Sequence, residues 1–190
     1  MMPYDDLTSE ELMPLVASGD KRAFSSLMAR HRNTVYGIAY RFFKTPQEAE
    51  DVFQEVFLRV WRSAGKYQPT AQFSTWLYTV TANQCKSELA SLWRRKVRLI
   101  GSFWAGDAGE RIAPTTPSSE ETAAQNQQAE QVRSSIGTLP AKQRLALILS
   151  RFEGLSYEEI AAVMDCSIPT VESLLFRAKN GLKKYLSNNL

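Results

Sequence analysis

Apolar residues recur at a spacing of about 3.6 positions in the first hundred residues, which predicts amphipathic helices. One such stretch covers residues 23–43 and carries His31. A second follows Thr45, with Pro46 at the first helical position and Glu48 three residues after Thr45, a combination typical of a capped helix start. Its predicted buried stripe consists of Ala49, Val52, Phe53, Val56, Phe57, Val60 and Trp61.

The opposite stripe of this second helix is polar and mainly acidic. It consists of Asp51, Gln54, Glu55 and Leu58, which share the i, i+3, i+4, i+7 spacing of one helix face. An exposed acidic stripe with one leucine suits a docking surface for another protein. The alternative is an ordinary solvated helix face.

Aromatic residues cluster around a predicted loop between Gly65 and Phe73. Tyr67, Phe73 and Trp76 lie in or just after this loop, and Ser74 is predicted to cap the long helix that follows. That helix carries Asn83 and Lys86 and ends in a basic cluster of Arg94, Arg95, Lys96 and Arg98. Aromatic rings beside amides and cations can stack on single-stranded bases, each stack contributing about 1–3 kcal/mol. Alternatively, Phe73, Trp76 and Leu77 belong to the core.

The strongest local pattern lies near the C-terminus. Ser156 and Glu159 have the spacing of a capping box, which predicts a short helix ending at the turn Asp165-Cys166. Ser167 can cap a second helix, whose inward face is Val171, Leu174, Leu175, Ala178 and Leu182. The residues left pointing outward are Thr170, Glu172, Ser173, Phe176 and Arg177. Two helices across a tight turn, with polar residues at the start of the second, indicate a DNA-reading helix-turn-helix.

Composition adds two restrictions on the function. No apolar run approaches the roughly 18–20 residues of a membrane-spanning helix, so membrane insertion is not expected. We expect a cytoplasmic location instead. The chain of 190 residues has two widely separated cysteines and one histidine, too few ligands for a structural zinc site. No metal or other cofactor is expected. An enzyme is disfavoured because no histidine-based triad and no glycine-rich phosphate loop is evident.

Charge and turn-forming residues divide the chain into domains. Residues 101–128 are rich in Gly, Pro, Ser, Thr and Gln and carry a net charge of −3. Because the whole chain has a net charge of +3, the residues outside this segment together carry a net charge of +6. This segment is predicted to be a flexible acidic linker. The expected architecture is all-α, with two small helical domains over residues 1–100 and 129–190, the second containing the helix-turn-helix. The excess basic charge favours a nucleic-acid partner.

Several of these motifs together resemble a known family. Leu139-Pro140, Arg144 and residues 153–179 (EGLSYEEIAAVMDCSIPTVESLLFRAK) are similar to region 4 of bacterial RNA polymerase sigma factors. Residues 18–31, 48–61 and 73–89 are similar to region 2. Two such regions joined directly by a short linker resemble the plan of the extracytoplasmic-function group, so the resemblance implies a promoter-specificity subunit that is not an enzyme.

The resemblance also implies a role for each candidate residue. Asp51, Gln54, Glu55 and Leu58 match the surface that docks on the clamp helices of the polymerase β′ subunit. Tyr67, Phe73, Trp76, Asn83 and Lys86 match positions that capture and contact the minus-ten promoter element. Thr170, Glu172, Ser173, Phe176 and Arg177 match positions at the minus-thirty-five element. The partners it implies are core RNA polymerase, including the flap of the β subunit, promoter DNA and an inhibitory anti-sigma factor.

The chain departs from the family pattern at three positions. Glu172 and Leu174 stand where many members carry cations, and Thr79 replaces a common arginine. A glutamate can accept a hydrogen bond from cytosine N4 but repels phosphate, so a different upstream motif is expected. Two other hypotheses remain open from the residues: a stand-alone helix-turn-helix regulator and a helical adaptor protein. Stoichiometric binding to core polymerase would distinguish a promoter-specificity subunit from both of these alternatives.

Overall fold

The computed structural model describes residues 4–68, 72–103 and 135–189. Every regular element within these ranges is helical, which confirms the all-α prediction. The helices, in chain order, are α1 (Ser9–Ala17), α2 (Lys21–Phe43), α3 (Pro46–Ser63), a 3₁₀ turn (Ala64–Lys66), α4 (Phe73–Phe103), α5 (Ala141–Arg151), α6 (Tyr157–Met164) and α7 (Ile168–Asn189). Residues 135–138 form a further helical turn before α5.

Helices α1 to α4 pack into an N-terminal block around the stripe predicted on α3. Six of the seven predicted stripe residues are buried, and Trp61 is partly buried at its edge. The ring of Phe24 from α2 packs edge-on against Phe57 and Trp61, with centroids 6.2 and 5.0 Å apart. Pro46 occupies the start of α3 as predicted, but the Thr45 side chain makes no capping hydrogen bond.

Helices α5 to α7 form a C-terminal block whose local geometry follows the sequence closely. The capping box of Ser156 and Glu159 is complete, since each side chain accepts a hydrogen bond from the other residue's backbone amide. Asp165 ends α6 in the left-handed region at φ +53°, which turns the chain sharply into α7. Val171 and Ala178 are buried, and Leu174, Leu175 and Leu182 are partly buried, so the predicted inward face of α7 is confirmed.

Three features of the N-terminal block differ from the expectations. Helix α1 was not predicted, although Thr8 and Glu11 form a capping box at its start. Helix α4 begins at Phe73, one residue before the predicted cap Ser74, and it continues to Phe103, into the segment predicted as linker. The rest of that predicted linker, residues 104–128, lies outside the described residues.

The two blocks contact each other directly. Their buried apolar residues form one continuous cluster, in which α2 and α4 face α5 and α6. Arg144 on α5 donates a hydrogen bond of 2.7 Å to the carbonyl of Phe42 at the end of α2. Glu153 accepts a long hydrogen bond of 3.5 Å from the Tyr78 hydroxyl and lies 3.8 Å from the Arg41 guanidinium. Polar contacts therefore surround an apolar interface between the blocks.

Candidate nucleic-acid and polymerase interfaces

The exposed start of α7 is the first candidate interface. All five residues predicted to face outward are exposed: Thr170, Glu172, Ser173, Phe176 and Arg177. The Phe176 side chain is 67% exposed. Such exposure is unusual for a phenylalanine, since this residue type is usually buried. Buried Val171 and Ala178 fix the opposite face of the helix, so these five side chains point away from the block together.

The electrostatics of this surface are mixed in sign. Backbone amides at the start of a helix favour a phosphate, and Arg177 and Lys179 add exposed cations further along α7. Glu172 places an exposed carboxylate between them, without a hydrogen-bond partner among the described side chains. The start of α7 can therefore hold a DNA backbone through its amides and cations, while Glu172 repels a phosphate placed next to it.

Three aromatic rings form the second candidate interface, where the 3₁₀ turn leads into α4. The ring centroid of Trp76 lies 5.2 Å from that of Tyr67 and 5.6 Å from that of Phe73. Tyr67 and Trp76 are partly exposed, so their rings are accessible from the surface. Residues 69–71, which belong to the same predicted loop, lie outside the described residues.

Phe73 occupies a different position from its two neighbours. Its side chain is only 1% exposed, and its ring packs against the imidazole of His31 at 5.0 Å. In this arrangement the Phe73 ring is not available to stack on a base. Of the two roles considered for Phe73 from the sequence, the structure therefore agrees with a core residue. Its ring instead supports Tyr67 and Trp76 from beneath.

The following turns of α4 carry the remaining minus-ten candidates. Asn83 is exposed and Lys86 is partly exposed. Asn83 lies seven residues after Trp76, two helical turns and about 10 Å along the same face. Thr79, between them, donates its hydroxyl to the carbonyl of Thr75 at 3.0 Å. The position where many family members have an arginine is therefore occupied by a short side chain bonded to its own helix.

A hydrogen bond that joins α1 to the start of α4 was not predicted from the sequence. The Glu10 carboxylate accepts a hydrogen bond of 2.7 Å from the backbone amide of Phe73, 63 positions later. Ser9, next to it, lies 2.8 Å from the His31 ring nitrogen, with its hydroxyl and the imidazole sharing a hydrogen bond. The signal that could have located α1 is the Thr8 to Glu11 spacing, which matches the capping box found before α6. No local signal links Glu10 to Phe73.

Burial changes the proton affinity of two groups near these rings. It lowers the pKa of His31 below its ordinary value, with the nearby Arg30 charge acting in the same direction and Glu10 opposing it. It raises the pKa of Tyr67, whose hydroxyl oxygen is buried and has no hydrogen-bond partner within the part of the chain that the structure describes. His31 therefore favours its neutral form here, and Tyr67 retains a hydroxyl with unused hydrogen-bonding capacity.

The acidic face of α3 is the third candidate interface. Asp51, Gln54 and Leu58 are exposed, Leu58 by 45%, and Glu55 is partly exposed. The polar members make only short-range contacts on α3: Asp51 accepts from Gln47 at 3.2 Å, and Glu55 pairs with Arg59 at 3.3 Å. Such exposed pairs contribute little to stability, so the face is free to bind another protein.

The described residues contain neither a candidate metal site nor a candidate membrane-spanning helix. No group of three or more His, Cys, Asp or Glu side chains there could hold a metal ion. None of the helices described is long and apolar enough to cross a membrane.

Comparison with known proteins places both blocks in one family. Residues 27–95 match the family model of sigma-70 region 2, and residues 129–181 match that of sigma-70 region 4. The RNA polymerase sigma-H factor of Pseudomonas aeruginosa is 36% identical over 181 residues, which cover 93% of each chain. The ECF RNA polymerase sigma-E factor of Escherichia coli K12 is 34% identical over 185 residues, covering 94% of each chain.

A solved structure agrees with this assignment. The structure of CnrH in complex with the cytosolic domain of CnrY superposes on this chain with a TM-score of 0.66 and 26% sequence identity. The superposition covers 94% of this chain and 97% of the matched chain. The match includes both helical blocks, and the relatives include both regions along nearly their whole length. The chain therefore belongs to the extracytoplasmic-function group of the sigma-70 family, whose members are non-enzymatic subunits that direct core RNA polymerase to promoters.

Proposed function

We propose that this sigma factor recognises its promoter and its polymerase through the three surfaces described above. The acidic face of α3 docks on the clamp helices of the β′ subunit. Tyr67 and Trp76 hold a base extruded from the minus-ten element, while Asn83 and Lys86 contact the upstream edge of that element. The exposed start of α7, with Thr170, Glu172, Ser173, Phe176 and Arg177, reads the minus-thirty-five element.

One observation carries this proposal. Tyr67 and Trp76 are accessible rings with centroids 5.2 Å apart, and Asn83 lies on the same face of α4 two turns away. Rings in this position can stack on an unpaired base, and the amide can hydrogen-bond a neighbouring one. Phe73 contributes by supporting the two rings, because its own ring is buried.

Polymerase has to supply part of the energy for melting. Extruding a base costs a few kcal/mol of lost stacking and pairing, which the ring contacts offset only in part. The free chain is therefore expected to bind duplex DNA weakly and to melt none. The cytoplasm, where the polymerase and its templates are found, is the proposed location, and an anti-sigma factor is the proposed inhibitory partner.

Simultaneous contact with both promoter elements requires the two blocks to separate. The elements lie about 25 base pairs apart, or about 85 Å at 3.4 Å per base pair. Helices α4 and α6 are in contact in this structure, so that contact has to open on the promoter. The 31 residues between Phe103 and Ser135 would span about 100 Å if fully extended, which is sufficient.

The experiment that tests the proposal is run-off transcription with purified core RNA polymerase on a pool of genomic fragments, with and without the chain. New discrete transcripts that need the chain are expected, and their start sites identify both elements. If none appeared while the free chain bound one duplex sequence in a salt-sensitive way, the protein would instead act as a stand-alone regulator.

A further inference from the structure

The first backbone amides of α4 have no partner within their own helix, so the way they are satisfied determines where the helix begins. The Ser74 hydroxyl, the local candidate, interacts at 3.5 Å with the Gln72 side chain instead. The amide of Phe73 donates to the Glu10 carboxylate at 2.7 Å. A hydrogen bond to a carboxylate is stronger than one between neutral groups, and negative charge is favourable at a helix start.

Glu10 is held in place independently of α4. Helix α1 is anchored by Leu12, Met13 and Val16, which are buried beneath it, while the capping box of Thr8 and Glu11 is exposed and satisfies only the first turn. Ser9 shares a hydrogen bond with the His31 imidazole at 2.8 Å, which ties α1 to α2. Glu10 therefore presents its carboxylate from a fixed helix, and the bond to Phe73 fixes α4 relative to α1 and α2.

The residue that receives this bond is at the centre of the aromatic cluster. The Phe73 ring lies 5.9 Å from Tyr67, 5.6 Å from Trp76 and 5.0 Å from His31, measured between centroids. Trp76 follows Phe73 by three residues on α4, while Tyr67 belongs to the segment before it. A shift at the start of α4 would therefore move Trp76 relative to Tyr67, and the arrangement of these two contacting rings shapes the surface on which a base would stack.

We propose that Glu10 is a positioning residue for minus-ten recognition: by capping the amide of Phe73, it sets the distance between Tyr67 and Trp76. It does not touch DNA. This inference rests on the proposed function of those two rings, and it assigns a role in base selection to a helix that lies outside both matched family regions.

The test measures base selection by the assembled holoenzyme. The probes are two libraries built on a promoter found by run-off transcription, one randomised at the minus-ten element and one at the minus-thirty-five element. The variants are Glu10→Met, which keeps length but has no oxygen acceptor, and Glu10→Gln, which keeps an acceptor. The matched control is Glu11→Met, because Glu11 makes an equally short 2.7 Å bond to the Thr8 amide but only within the start of α1.

With Glu10→Met, we expect the preference for the captured base to fall at least fivefold while the minus-thirty-five profile stays unchanged. Glu10→Gln should retain most of the preference, and Glu11→Met should match the wild type. Unchanged base preference in Glu10→Met would overturn the inference, because the cap on Phe73 would then have no effect on base selection. An equal loss with Glu11→Met would also overturn it, because the loss would then reflect a general effect of α1 on stability.

Two further provisions separate the possible failures. If Glu10→Met does not fold, as judged by its helical circular dichroism, Glu10→Asp replaces it, because the shorter carboxylate cannot keep the bond without moving the helix. A wild-type level of base preference in Glu10→Asp would then count against the inference. If the wild-type holoenzyme itself selects no minus-ten sequence, the proposed function fails, and the inference about Glu10 fails with it.

Discussion

The guanidinium of Arg144 donates a hydrogen bond of 2.7 Å to the carbonyl of Phe42, 102 positions earlier in the chain, and lies 5.0 Å from the centre of the Phe42 ring. The same guanidinium donates to the carbonyls of Gly137 and Leu139 within its own block. One side chain thus orders the segment that leads into α5 and also joins that segment to the end of α2.

Arg144→Met is expected to lower the free energy of unfolding by about 3 kcal/mol, because three carbonyls would lose a charged donor whose hydrogen bonds contribute roughly 1.5–3 kcal/mol each when buried. The expected loss is smaller than the sum of three such bonds because the side chain is only partly buried, so that water can replace some of them. Urea denaturation followed by circular dichroism measures the change. Arg151→Met, at an exposed position on the same helix, should change stability by less than about 0.5 kcal/mol.

Replacing Asp51 and Glu55 together with alanine should weaken binding to core polymerase at least tenfold while preserving helical content. The bond between Asp51 and Gln47 is exposed and the one between Glu55 and Arg59 is partly exposed, so both contribute little to folding. Fluorescence anisotropy of labelled protein titrated with core polymerase measures the affinity. Glu50→Ala is the matched control, since Glu50 faces Arg32 on α2 at 3.6 Å. A loss of helical signal in the double variant would mean instead that these acids are structural.

Glu172→Arg should change which upstream bases are preferred and make binding more sensitive to salt. The substitution replaces a carboxylate that repels phosphate with a cation that attracts it, at an exposed position near the start of α7. Selection of the minus-thirty-five library by holoenzyme measures the preference. If the profile stays the same, Glu172 does not contribute to base reading.

The stability of the chain should decline as the pH falls below about 6.5, the ordinary pKa of histidine. Burial lowers the pKa of His31, the single histidine of the chain, so the unfolded state takes up a proton before the folded state does. The stabilising contribution is therefore complete above the unfolded pKa and is lost as the pH falls through the folded one. Urea denaturation from about pH 7.5 to 5.5 tests this for wild type and His31→Gln, whose dependence should be flatter.

Thiol reactivity should distinguish the two cysteines. Burial raises the pKa of Cys85 to about 12, and its side chain is fully buried, whereas Cys166 is partly exposed. One thiol per chain is expected to react with a maleimide in native buffer and two in urea. In a Cys166→Ser variant the native protein should not react. Rapid labelling of that variant without denaturant would show that the core around Cys85 opens readily.

The sequence by itself determined the helical class, the buried stripe of α3 and the helix-turn-helix of α6 and α7. Each depends on residues three or four positions apart, and such neighbours interact within one helix whatever surrounds it. The capping box at Ser156 is the clearest case, since its two hydrogen bonds form within four residues. The equivalent pattern at Thr8 carried the same information and would have predicted α1.

Tertiary structure decided which candidate aromatic residue is buried, how α4 is capped and how the two blocks meet. The sequence shows Phe73, Tyr67 and Trp76 only as neighbouring aromatic residues, and the tertiary structure buries Phe73 against His31 while Tyr67 and Trp76 stay partly exposed. The bond from Phe73 to Glu10 joins positions 63 apart, and the bond from Arg144 to Phe42 joins positions 102 apart. Partners so distant are selected by the packing of whole helices, which no local periodicity encodes.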